Sequence, residues 1–81
     1  MICKLSDKKN SERVVLINIK GGYGVYQRLL DMGLVPGVTF EVSHNHGFGP
    51  ITISLKGTKM MLGRGLAEKL IVKEEKKNEK N

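Results

Sequence analysis

One stretch constrains the fold of this chain more than any other: residues 28–42, which read R-L-L-D-M-G-L-V-P-G-V-T-F-E-V. Its first part has the apolar spacing of one helical face, and Gly33 follows the last periodic residue, where helices often end on a left-handed glycine. Pro36-Gly37 suits a type II turn, because proline fixes φ at about −65° and glycine accepts a positive φ. From Val38 on, apolar and polar residues alternate as in a half-buried strand. The stretch therefore predicts a helix end, a turn and a strand in succession.

The rest of the chain repeats this short-strand pattern. Five strands are predicted, over residues 13–19, 38–44, 51–55, 59–62 and 70–72. One helix of two or three turns, with an uncertain start near Val25, lies between the first two strands, and a helical turn is expected within residues 63–69. Because closing a sheet removes exposed edges, a chain of 81 residues is well used as a barrel. The prediction is a mainly β fold: a small, partly open barrel of about five strands with one short helix after the first.

The ends of the chain differ from its middle. Residues 13–72 form the predicted domain, residues 1–12 receive no assignment, and residues 73–81 contain no apolar side chain, which indicates a charged, disordered tail. A single cysteine, Cys3, excludes an intramolecular disulfide. The N-terminus lacks the apolar core of a signal peptide, and no apolar run is long enough to span a membrane. We therefore expect a cytoplasmic protein.

The stock of chemically active residues argues against an enzyme. The acids of residues 13–72 are Asp31, Glu41 and Glu68, with no pattern that pairs a nucleophile with a base. The glycine clusters at 21–24 and 63–65 lack the spacing that places backbone amides around phosphate. No cofactor is expected.

The formal net charge of +6 is compatible with nucleic acid, with an acidic protein surface or with anionic lipid. Nucleic acid is the weaker alternative, because the chain has only four aromatic residues and no row of them on which bases could stack. We therefore do not expect a nucleic-acid partner.

His44 and His46 are the only candidate metal ligands with a suggestive spacing. Histidine is a common metal ligand, and two of them two residues apart share one side of a strand. A structural zinc site nevertheless needs four ligands and a catalytic one needs three. Exposed histidines at a strand end are the expected interpretation, and a site shared between two chains is the exception.

Two features indicate a docking partner. Phe48 lies in a glycine-flanked loop, where an apolar side chain meets water. Strand alternation buries one of Met60 and Met61 and exposes the other, and an exposed methionine suits an adaptable binding surface.

Several motifs together resemble one family. L-x-D-M-G-L-x-P-G, then G-P-I-T-I-S-L-K-G, then Leu62, Ala67 and Leu70-x-Val72 are similar to the FeoA family of bacterial ferrous iron uptake. The resemblance implies an SH3-like barrel without enzymatic activity, acting on the membrane transporter FeoB, whose cytosolic part binds GTP. It implies a protein peripheral to the membrane through that partner only, with homo-oligomers possible.

Small barrels of this type bind through loops and the groove beside them. The expected contact residues are Tyr26, Arg28, Phe48, Met60 and Arg64, whereas the residues of the helix end and turn are assigned to the fold. The alternatives are a nucleic-acid-binding barrel and direct binding of ferrous iron by the two histidines.

Overall fold

The computed structural model describes residues 1–75 and shows one antiparallel sheet with short helices. The strands are β1 (Ile2–Lys4), β2 (Arg13–Ile19), β3 (Thr39–His44), β4 (Ile51–Leu55), β5 (Thr58–Leu62) and β6 (Leu70–Glu74). The helices are α1 (Tyr23–Asp31) and α2 (Arg64–Ala67), with a 3-10 turn at Leu5–Asp7. The hydrogen-bonded order is β1-β6-β2-β3-β4-β5, so the described strands form an open sheet. The predicted mainly β fold, with a short helix after the Arg13–Ile19 strand, is confirmed.

The strand count is six rather than about five, because the N-terminal segment adds β1. This strand pairs with β6, placing Cys3 opposite Val72. A three-residue strand is too short to show alternation, and its partner lies almost seventy residues away, so nothing local predicts it. Leu5, directly after β1, is completely buried in the core. The N-terminal segment, which received no assignment from sequence, is therefore part of the fold.

The last strand ends later than predicted. β6 runs to Glu74, which lies opposite Val14. Beyond it, the Glu75 carboxylate accepts a 2.7 Å hydrogen bond from Arg13 Nε, and this carboxylate raises the pKa of Arg13. The charged C-terminal stretch therefore begins inside the sheet, because the backbone of Lys73 and Glu74 pairs with β2 although both side chains are charged. The rest of the predicted tail, residues 76–81, lies outside the described residues.

The alternating apolar side chains of the strands meet in one core. α1 adds Leu29 to it, and the segment after α1 adds Leu34. The buried apolar residues are Leu5, Val14, Leu16, Ile19, Leu29, Leu34, Phe40, Val42, Ile51, Ile53, Leu55, Leu62, Ala67, Leu70 and Val72.

The C-terminus of α1 is closed by two backbone hydrogen bonds. Gly33, at φ +87°, donates its N–H to the carbonyl of Leu30 at 2.9 Å, and Leu34 donates to the carbonyl of Leu29 at 2.9 Å. This is the Schellman pattern, and Leu34 supplies its apolar contact by being fully buried. The predicted helix end at Gly33 is confirmed.

The turn that follows is attached to the sheet. The N–H of Val38 donates to the carbonyl of Val35 at 3.1 Å, and Gly37 has φ +100°, as a type II turn requires. Gly37 donates to the carbonyl of Leu16 at 2.7 Å, and Leu16 donates back to Val38 at 2.9 Å. The turn therefore leads into β3 in register with β2.

Replacing Gly33 by alanine should destabilise the fold by about 1–2 kcal/mol, because a Cβ makes the left-handed conformation costly. Space is not the cause, since the added Cβ would lie 3.4 Å from Leu55 Cδ2. Urea unfolding followed by circular dichroism measures the change.

Gly24→Ala is the matched control within the same helix. Apart from the backbone of the helix itself and the neighbouring residues, nothing within residues 1–75 lies within 4 Å of an added Cβ there, so alanine should stabilise α1 by up to about 1 kcal/mol. Equal effects of the two substitutions would contradict the assignment of Gly33 as the left-handed helix stop.

Candidate docking surface

The exposed flank of α1 is unusually apolar. Leu29 is buried and Val25 packs against the core. At about 100° per residue, Tyr23, Tyr26 and Leu30 fall within a narrow arc beside that core-facing side. Tyr23 is 80% exposed, Tyr26 is 38% exposed and Leu30 is half-buried. We call these three residues the helix stripe.

Arg28 lies on the other flank of the same helix. It follows Tyr26 by two residues, which places the two side chains about 160° apart around the axis. Both are exposed, as a docking role requires. They nevertheless do not share a contact face. Tyr23, not Arg28, lies beside Tyr26 on the helix. The sequence did not indicate this, because the predicted helix started near Val25 and therefore did not include Tyr23.

Phe48 belongs to a second exposed surface, in the loop after β3. Its side chain is 74% exposed, and its ring centre lies 6.4 Å from that of His46. On β5, Met61 is 64% exposed and lies opposite Thr52 of β4.

The Met60 side chain points toward the core, whereas a contact residue must be exposed. It is half-buried and packs against the core, while Met61 faces outward. Leu62 is buried, and residues two apart in a strand, such as Met60 and Leu62, face the same side. This alternation in the sequence could have identified Met61 as the exposed methionine.

Arg64 makes three contacts within the chain. Its Nη2 donates to Asn45 Oδ1 at 2.6 Å, its Nε to the carbonyl of Gly49 at 3.0 Å, and its Nη1 to the carbonyl of Ser6 at 3.4 Å. These bonds attach the loop after β3 to the start of α2 and to the N-terminal segment. The guanidinium is thus engaged in holding the loop that carries Phe48. The partners lie 15 to 58 residues away along the chain, so local sequence shows no sign of them.

Asn45 is the centre of that network. Its Nδ2 donates to the carbonyls of Ser6 at 3.1 Å and Lys8 at 2.6 Å, and its backbone N–H donates to Asn10 Oδ1 at 2.6 Å. Its Oδ1 also accepts from the backbone of Gly47 at 3.0 Å. Every polar atom of the side chain is therefore in use, and sequence reasoning missed the residue.

Lys8, just before the network, is only 8% exposed. Its Nζ lies 3.6 Å from Glu74 Oε2 and 3.9 Å from Glu12 Oε1. These carboxylates compensate a cation that would otherwise be costly to bury. Lys8 therefore has a structural role in joining the N-terminal segment to the end of β6.

Two absences hold for residues 1–75. No three His, Cys, Asp or Glu side chains are grouped so that they could hold a metal ion. No helix there is long and apolar enough to cross a membrane.

The fold and its uncovered apolar flank define a class of small SH3-like barrels that present side chains on a helix and loops. Comparison with known proteins narrows the class. The model of the FeoA domain matches residues 3–74. A protein of Methanocaldococcus jannaschii with the provisional name Fe(2+) transport protein A is 40% identical over 70 residues, which is 86% of this chain and 84% of that protein.

Solved structures agree. A crystal structure of the iron uptake regulatory protein FeoA superposes with a TM-score of 0.84 at 39% identity, covering 89% of this chain and 96% of that one. This chain belongs to the FeoA family, a family of ferrous iron transport. A manganese-dependent transcriptional repressor superposes with a TM-score of 0.83 at 15% identity, covering 90% of this chain and 41% of the repressor, and shares the fold alone.

Replacing Asn45 by alanine should destabilise the protein by about 1–3 kcal/mol, because the carbonyl of Lys8 loses its donor and that of Ser6 keeps only the 3.4 Å bond from Arg64. Asn10→Ala is the graded control: its exposed side chain accepts one bond from Asn45, so the loss should be about 1 kcal/mol or less. Denaturant midpoints measure both. An Asn45 variant as stable as the Asn10 variant would show that the network contributes little.

Proposed function

We propose that this protein docks on the cytosolic part of a FeoB-type ferrous iron transporter and modulates uptake through protein–protein contacts. Membership of a ferrous iron transport family supports the pathway. The docking step is a binding event without catalysis, carried out in the cytoplasm by a protein that reaches the membrane only through its partner.

The observation that carries the proposal is the helix stripe. Burying large aromatic side chains stabilises a small chain, because such a chain has little apolar surface to bury. Tyr23 nevertheless has 80% of its surface exposed, and Tyr26 has 38%. Tyrosine combines a large apolar ring with a polar hydroxyl, and it is among the residues that most often anchor protein interfaces. The stripe is therefore the preferred contact face on α1.

Basic side chains lie near the start of the stripe. The backbone N–H of Lys20 donates to the carbonyl of Lys69 at 2.7 Å, which brings the two lysines together just before α1. The side chain of Lys69 lies close to Gly21: a Cβ added to Gly21 would be 3.3 Å from Lys69 Cδ. Both lysines are exposed. We expect acidic groups on the transporter opposite them, which would raise the association rate more than the affinity.

The five residues named from sequence take different places in this proposal. Tyr26 is in the stripe, and Arg28 and Phe48 are exposed on other faces, where they are secondary candidates. Met60 and Arg64 support the core and the loop, so their substitution would act on docking mainly through the fold.

The double substitution Tyr23→Ser and Tyr26→Ser should weaken binding to the detergent-solubilised transporter. Losing anchor residues typically costs more than about 1 kcal/mol each, so the dissociation constant should rise on the order of tenfold or more. Titration with and without guanine nucleotide measures the affinity and any nucleotide dependence.

Asp31→Ala is the matched control, because Asp31 is exposed on the polar side of the same helix, away from Tyr26. It should leave the affinity unchanged. Unaltered binding by the tyrosine variant would remove α1 from the interface. A duplex DNA titration at matched salt tests the alternative, and binding to DNA but not to the transporter would contradict the proposed function as a whole.

A further inference from the structure

The two histidines of the chain lie together at the end of β3. His44 ends β3 and His46 follows in the loop, with ring centres 6.0 Å apart and ring planes inclined at 41°. Both side chains are exposed, so water and ions reach their nitrogens. Within residues 1–75 neither imidazole makes a hydrogen bond to another residue, which leaves both lone pairs available.

The residue between the two histidines is fixed by hydrogen bonds. The Asn45 side chain is directed inward and held by Ser6, Lys8, Gly47 and Arg64. His44 and His46, the residues on either side of this anchored side chain, are both exposed. A bulge between Val42 and His44 also sets His44 opposite Thr52, at the end of the paired region. The two imidazoles are thus displayed on an anchored segment rather than on a free loop.

Their separation suits a shared ion. Two imidazoles on one zinc ion, with Zn–N bonds of about 2.1 Å, place their ring centres about 5 Å apart in tetrahedral geometry. The observed separation of 6.0 Å is close to this distance, and both side chains are exposed. Imidazole nitrogen is a preferred ligand of late first-row divalent metals, whereas Fe²⁺ binds such ligands more weakly.

The geometry points to a two-histidine chelate at His44 and His46 that binds a divalent late transition metal, with water completing the coordination. Two protein ligands make it an exchangeable surface site, because a structural zinc site has four. A bound ion would lie beside Phe48, whose ring centre is 6.4 Å from that of His46. This inference is independent of the proposed docking through α1.

Titration of the intact protein with Zn²⁺, followed by calorimetry and by NMR of the imidazole ring protons, tests the site. We expect saturable binding that shifts the ring protons of both histidines. Because two tethered ligands act as a chelate, His44→Ala and His46→Ala should each weaken binding on the order of tenfold to a hundredfold, and the double variant should abolish the binding seen in this titration.

Cys3→Ser is the matched control, since Cys3 is the other strong zinc ligand and lies on β1. It should bind Zn²⁺ as the unaltered protein does, and circular dichroism should show that all variants fold. Binding that persists in the double histidine variant, binding lost in the Cys3 variant, or no saturable binding would each overturn the inference. None of these results depends on the transporter.

Discussion

The hydrogen-bonded stop at Gly33 and Leu34 is the constraint on which the rest of the structure depends. It ends α1 with Leu34 in the core, and it delivers the chain to a turn whose backbone is bonded to Leu16. The direction of the helix and the register of β3 against β2 are thereby set together. Since the helix is held by its end and by Leu29, the flank that carries Tyr23 and Tyr26 is left outward. The proposed contact face is therefore a consequence of how the helix ends.

A second, polar constraint organises a different part of the molecule. The Asn45 side chain joins the N-terminal segment, the loop after β3 and the start of α2 through hydrogen bonds alone. A fully satisfied polar network of this kind favours one arrangement, because displacing it leaves partly buried groups unpaired. It also anchors the segment that carries His44, His46 and Phe48, whose side chains are exposed. Two unrelated constraints thus produce two separate surfaces.

The similarity of this fold to a repressor domain shows that the fold by itself does not define the function. A chain with 15% identity reaches nearly the same TM-score as one with 39% identity, so the superposition alone does not distinguish a transcriptional repressor from a ferrous iron transport protein. A fold supports many functions, and the exposed side chains decide among them. The family match over residues 3–74 shows a family of ferrous iron transport, and the docking proposal rests on the exposed tyrosines of α1.

The sequence by itself determined the elements whose signals are local. The Gly33 helix stop, the Pro36-Gly37 turn and the alternating strands depend on backbone preferences and periodicity within a few residues. Tertiary structure decided what depends on distant partners. β1 exists because β6 offers an edge, Arg64 is engaged within the chain because Asn45 reaches it, and the helix stripe faces outward because the core selects the other side of α1. These outcomes come from contacts between residues far apart in the chain, and no local pattern encodes them.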